Sequence, residues 1–179
     1  LCEYTFEVEQ KRIQLIGELN EKITNNFFEL FSFENKIKIE LDTSLKKMSL
    51  SELNEFYKTK LNDDIKSGAT TRSLRRDDFQ ILFDGLNAFD YCSLGQQKMA
   101  FLSLLFAYIE LFRYKFKLDP IVLIDDVSGE LDAIRWKNLI DYVVKKNFQV
   151  FITTANENFK NELLKIGSAK KITLKDGLI

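Results

Sequence analysis

Two adjacent carboxylates, Asp125 and Asp126, close the apolar run Ile121-Val122-Leu123-Ile124. Acids that follow a buried strand sit at the carboxyl edge of a sheet, where α/β folds bind their ligands. There one carboxylate holds Mg2+ directly or through water, while its neighbour orients an attacking water. The plainer reading is a strand that ends in a solvated Asp-Asp turn. A second group, Ser93-Leu94-Gly95-Gln96-Gln97-Lys98, opens a long apolar stretch with helical spacing. A helix N-terminus offers unpaired N–H groups and a positive dipole end, which suit phosphate. Ser93 adds a hydroxyl, and Gly95 lets backbone approach an anion closely. Ser is also a common N-cap that binds nothing beyond its own helix. A third group, Ser128-Gly129-Glu130-Leu131-Asp132, follows the acidic pair. Its acids either serve a site or place negative charge at the start of the next helix.

Composition narrows the chemistry. The 179 residues include no histidine, which removes imidazole bases, Ser-His-Asp triads and the common zinc sites. With 26 basic and 27 acidic residues the net charge is −1, so nucleic-acid binding would have to come from a local patch. Arg72, Arg75 and Arg76 form one such group and Lys46-Lys47 another. For both, a solvated charged face is the plainer reading, and Arg76-Asp77-Asp78 reads equally as an internal ion-pair network. Two cysteines, Cys2 and Cys92, make no disulfide framework, which favours a reducing, cytoplasmic setting. The apolar run from Met99 to Ile109 is too short to span a bilayer, so no membrane association is expected.

These groups need elements to hold them. Ile13, Ile16, Leu19, Ile23, Phe27 and Leu30 recur at helical spacing, predicting a helix over Tyr4 to Phe31 that is either the end of a coiled-coil arm or an ordinary packed helix. Lys36 to Leu41 alternates as a half-exposed strand. Ser49 and Glu52 form a capping box for a helix to about Lys66, closed by Gly68. Asp78 to Phe83 reads as a strand and Asp84-Gly85 as a turn.

From Ser93 to Lys115 the sequence predicts a helix apolar nearly all round, hence deeply buried. Pro120 introduces Ile121 to Ile124, which fits a central parallel strand. Leu131 to Lys146 reads as helix, Gln149 to Thr153 as strand, Asn158 to Ile166 as helix and Lys171 to Leu174 as a last strand, turning at Asp176-Gly177. The order αβαβαβ over Ser93 to Ile179 predicts a parallel α/β sheet, preceded over residues 1–92 by a helical or α+β lobe.

Taken in order, a Ser-x-Gly-Gln helix start, a strand ending Asp-Asp and Ser-Gly-Glu-Leu-Asp resemble the carboxyl-terminal part of an ABC-type ATPase head. Its signature, Walker B and D-loop motifs match Ser93 to Gln97, Ile121 to Asp126 and Ser128 to Asp132. With Gly68-Ala69-Thr70-Thr71, Arg76-Asp77-Asp78-Phe79 and Asp125 to Asp132 followed by Ala133-x-Arg135, the chain resembles the RecF family of bacterial DNA repair ATPases, relatives of the SMC heads. The resemblance covers Gly68 to Ile179 well and the earlier stretch loosely.

It implies ATP held between two heads of a homodimer. Ser93 and the Gly95 amide would contact the γ-phosphate from the opposite subunit, Gln96 would belong to the same ATP-binding group, and Asp132 would lie at the interface. Asp125 would support Mg2+, Asp126 would orient the water, and Thr154 would stand where transporters carry a switch histidine. It further implies binding of duplex DNA beside single-strand gaps, recombination mediator proteins as partners and help in loading the recombinase.

The chain departs from the family at Ser73-Leu74-Arg75, where Gly-Pro-His is typical. It also contains no Gly-x-x-x-x-Gly-Lys-Ser/Thr, the P-loop that cradles the β- and γ-phosphates. Together with a first residue that is Leu1, this leads us to expect a carboxyl-terminal part of a longer protein, inactive as an ATPase on its own. Another SMC-type or overcoming-lysogenisation-type head, and a non-catalytic interaction module, are the alternative readings.

Overall fold

The computed structural model describes residues 2–45, 47–125, 131–154, 163 and 169–172. Helix α1 spans Cys2–Phe31 and carries its apolar residues on one stripe. In its second half that stripe is fully buried at Ile23, Phe27 and Leu30. Strand β1 (Ile37–Asp42) follows, and its alternation places Ile37, Ile39 and Leu41 inward. Asn20 and Thr24 of α1 bind the carbonyls of Ile39 and Ile37 at 2.9 Å each, locking the helix along the strand.

The expected capping box forms at Ser49 and opens α2 (Leu50–Ser67), which Gly68 closes in the left-handed region at φ 66°. A single 3-10 turn at Leu74–Arg76 leads into β2 (Asp78–Phe83). Strand β2 pairs antiparallel with β1 and, across the two-residue turn Asp84-Gly85, with β3 (Leu86–Asn87). Both turn residues have positive φ, 50° and 86°, as a hairpin turn matched to strand twist requires.

After the short α3 (Ala88–Tyr91) comes α4 (Leu94–Phe116), then β4 (Ile121–Ile124), α5 (Ala133–Lys146) and β5 (Gln149–Ile152). Strands β4 and β5 pair in parallel with α5 as their crossover, the unit expected from the sequence. One hydrophobic core joins α1, α4 and α5: Phe27, Phe106, Trp136 and Leu139 are fully buried, with Phe106 stacked on Phe148 at 5.7 Å. Lys146 fastens the same three helices, lying 2.7 Å from Glu110 and 3.2 Å from Glu29.

Two expectations about burial need correction. Helix α4 buries Met99, Leu102 and Phe106 but leaves Phe101, Tyr108 and Tyr114 exposed, so only one face is in the core. In β4, Val122 and Ile124 are buried whereas Ile121 and Leu123 are 58% and 73% exposed, and β5 is its one partner among the described residues. An apolar run records which side chains favour burial and not which neighbours cover them. Of the helix expected at Asn158 to Ile166, Leu163 alone is described, and it is helical. Lys171 and Ile172 belong to no strand; Thr173, Leu174 and the turn at Asp176-Gly177 lie outside the described residues.

Candidate functional site

Asp125 stands one residue past β4, with its side chain exposed. The parallel register pairs Ile124 with Ile152, so Asp125 and Thr153 emerge side by side at the carboxyl edge of the sheet. The Thr153 hydroxyl donates to Asp125 Oδ1, and the Thr153 amide donates to the Ile124 carbonyl at 3.0 Å. Sequence reasoning singled out Thr154 and missed Thr153. The register of a two-strand unit would have found it, since in parallel strands equivalent positions face the same way. Thr154, the next residue, is half-buried. Asp126 and Ser128 to Glu130 lie outside the described residues.

Among the described residues no three acidic or sulfur groups cluster as a metal cage. Single-carboxylate support is what Mg2+ accepts, because it keeps several waters and takes its other ligands from substrate phosphates. Asp125 fits that role: one oxygen is held by Thr153, and no other partner of its carboxylate is found among the described residues.

Ser93 is the N-cap of α4. Its Oγ accepts the Gln96 amide at 3.3 Å, and the Gln96 side chain accepts the Ser93 amide at 3.0 Å. The helix start is therefore a complete capping box, and Gln96 is engaged in building it. Gln97 fixes what precedes, donating through Nε2 to the carbonyls of Phe89 and Cys92 at 3.2 and 3.0 Å. Ser93 itself stays exposed, Gly95 is the second residue of the helix, and Phe89 and Leu94 beside them are 81% and 67% exposed. Among the described residues no hydrogen bond joins Ser93 to Asp125, so the chain holds the signature and strand-end groups as separate sites.

Asp132 is the N-cap of α5, accepting the Arg135 amide at 2.8 Å with the Arg135 guanidinium 3.5 Å away. That is the structural role its position suggested, and it leaves the carboxylate at the surface.

Arg72 and Arg76 line a polar cleft with Asp42, Ser44, Thr71 and Asp77. Arg72, Arg75 and Arg76 are exposed and form no ion pair among the described residues. Asp77 behaves differently: its side chain is 3% exposed and pairs with Arg12 of α1 at 2.9 Å. The ion-pair reading of Arg76-Asp77-Asp78 thus holds for Asp77, with Arg12 rather than Arg76 as its partner. Asp64 accepts both the amide and the hydroxyl of Thr71, which hold its carboxyl below the usual range, Arg76 adding to the effect. The segment Ser73-Leu74-Arg75 forms the turn before Asp77, and the Leu74 carbonyl accepts a second bond from Arg12 at 3.1 Å. Lys47 is exposed beside this region, and Lys46 lies outside the described residues.

A crossover α5 between parallel strands, an acid at the strand edge and a capped helix ahead of both define the carboxyl-terminal part of an ABC-type ATPase head. A solved structure of the recombination mediator protein RecF with ATP matches with a TM-score of 0.71 at 27% identity, over 88% of this chain and 43% of that one. An SMC ATPase head, from work on ATP-driven dimerisation, matches with a TM-score of 0.56 at 14% identity, over 94% of this chain and 84% of its own, a likeness of fold.

The sequence is similar to RecF proteins, matching the carboxyl-terminal half of those relatives. The DNA replication and repair protein RecF of Acholeplasma laidlawii is 36% identical over 155 residues, 87% of this chain and 43% of the relative. That of Halothermothrix orenii is 31% identical over 191 alignment positions, spanning all of this chain and 49% of the relative. The chain thus spans a little under half the length of the curated relatives it matches. No family model matches the sequence.

Proposed function

We propose that this chain is the signature-and-Walker-B part of an ATP-dependent, dimerising, DNA-binding ATPase that acts at single-strand gaps and helps load the recombinase. The observation that carries the reading is Asp125, exposed at the carboxyl edge of a parallel strand pair, in a fold that superimposes on a RecF bound to ATP. Bound Mg2+ would neutralise developing charge on the phosphates, and Asp125 is the residue that would support it. Asp126, next in sequence, orients the attacking water. Ser93 and the Gly95 amide at the start of α4 receive the γ-phosphate of nucleotide held by the opposite subunit, where the helix dipole favours an anion, and Gln96 holds the helix start that presents them. Asp132 lies at the same interface. A γ-phosphate that binds only the closed pair shifts the equilibrium toward dimer, and its loss on hydrolysis reverses the shift.

Arg72, Arg75 and Arg76 supply phosphodiester contacts, and their exposure, with no ion pair among the described residues, supports the assignment. Duplex and gapped DNA, and recombination mediator proteins, are the partners of the whole protein, which works in the cytoplasm; among the described residues no helix is long and apolar enough to cross a membrane.

The test is magnesium-dependent ATP hydrolysis by the full-length protein and by the isolated 179 residues. The full-length protein hydrolyses ATP and loses turnover on Asp126→Asn. The isolated chain, without a P-loop, does not hydrolyse it. Turnover by the isolated chain that Asp126→Asn abolishes would overturn the division of the site.

A further inference from the structure

We propose that Thr153 is a positioning residue that sets the orientation of the Asp125 carboxylate for cation support; the inference rests on the ATPase reading above. The strand pair makes the contact obligatory. Ile124 and Ile152 are in register, and the amide of Thr153 continues the ladder one residue further by binding the Ile124 carbonyl at 3.0 Å. Residues on one strand face alternate, so Asp125 and Thr153 share the exposed side with Leu123 and Phe151, opposite the buried Ile124. The Thr153 hydroxyl then reaches Asp125 Oδ1.

Side-chain chemistry explains why a hydroxyl serves here. A Lys or Arg in this place would neutralise Asp125 and compete with a cation for it. A neutral hydroxyl fixes the carboxylate plane and leaves its charge intact. Threonine is also stiff about χ1, so the donor is already aimed when the site is empty. Groups that orient a metal-supporting side chain without touching the metal typically change affinity or activity by 10- to 100-fold when removed.

The experiment uses the full-length protein with Thr153→Val, which keeps the shape and deletes the hydroxyl, and Thr153→Ser, which restores it. Mn2+ binding in the presence of ATP, followed by electron paramagnetic resonance, is read beside steady-state hydrolysis and the thermal midpoint. The expected result is Mn2+ binding weakened about tenfold or more in Thr153→Val. It comes with a matching loss in kcat, an unchanged KM for ATP and near-complete recovery in Thr153→Ser. Wild-type Mn2+ affinity in Thr153→Val would overturn the inference. So would equal losses in both variants tracking a lowered thermal midpoint, since that marks a merely structural contact. Failure of the wild-type protein to bind Mn2+ with ATP would overturn the ATPase reading itself, and with it this inference.

Discussion

Arg12 on α1 places Nη1 2.9 Å from the carboxylate of Asp77 and 3.1 Å from the carbonyl of Leu74. One guanidinium therefore ties the long helix to the turn that carries Arg75 and Arg76. Because Asp77 is almost wholly enclosed, deleting Arg12 strands a buried charge, whereas deleting both partners does not. Arg12→Ala should lower stability by about 2–3 kcal/mol. Asp77→Asn in the same background should restore part of the loss, a coupling that urea unfolding in a double-mutant cycle will report.

Glu9 sits on the same helix three residues earlier, fully buried, and among the described residues no side chain hydrogen-bonds either carboxylate oxygen. Burial raises its pKa, the Lys47 backbone opposing and the nearby Asp77 charge adding. A carboxyl whose folded pKa exceeds its unfolded value costs nothing at low pH. The penalty enters as pH rises from the unfolded pKa to the folded one and is complete above it. Glu9→Gln should therefore raise the urea midpoint at pH 7, and the gain should vanish below about pH 4, where both forms are neutral.

The arginine cleft makes a separate, salt-based prediction. Each phosphate contact contributes about 0.9 to the slope of log affinity against log salt on duplex DNA. Arg72→Ala with Arg76→Ala in the full-length protein should weaken DNA binding and flatten that slope by about 1.8. ATP binding should be unaffected. Filter binding across a salt series checks this, and an unchanged slope would remove the cleft from the DNA path.

Much of this was legible in the sequence wherever local chemistry decides. Ser49 with Glu52, Ser93 as an N-cap, Gly68 and the Asp84-Gly85 turn all form as the sequence suggests, because caps and turns depend on residues within a few positions of one another. The acid at the end of β4 and the parallel crossover were equally plain. Contacts between distant segments were not. Arg12 meets Asp77 from 65 residues away, and Thr153 meets Asp125 across a crossover; neither leaves a periodic trace. The exposed faces of α4 and β4 were misjudged for a related reason, since a run such as Ile121 to Ile124 is the same string whether one face is covered or two.

In the proposed function the Ser93 helix start completes a nucleotide site on an opposing subunit. Ser93 also caps α4, so Ser93→Ala alone would confuse the two roles, costing about 1 kcal/mol through the cap. Ser93→Arg places bulk and charge where the opposing nucleotide would seat. Sedimentation velocity of the full-length protein, with and without ATP and Mg2+, reads the assembly state itself. The expected result is a monomer without nucleotide, a dimer with it, and a Ser93→Arg variant that binds ATP yet stays monomeric. A wild-type protein that binds ATP without dimerising, or a Ser93→Arg variant that dimerises normally, would contradict it.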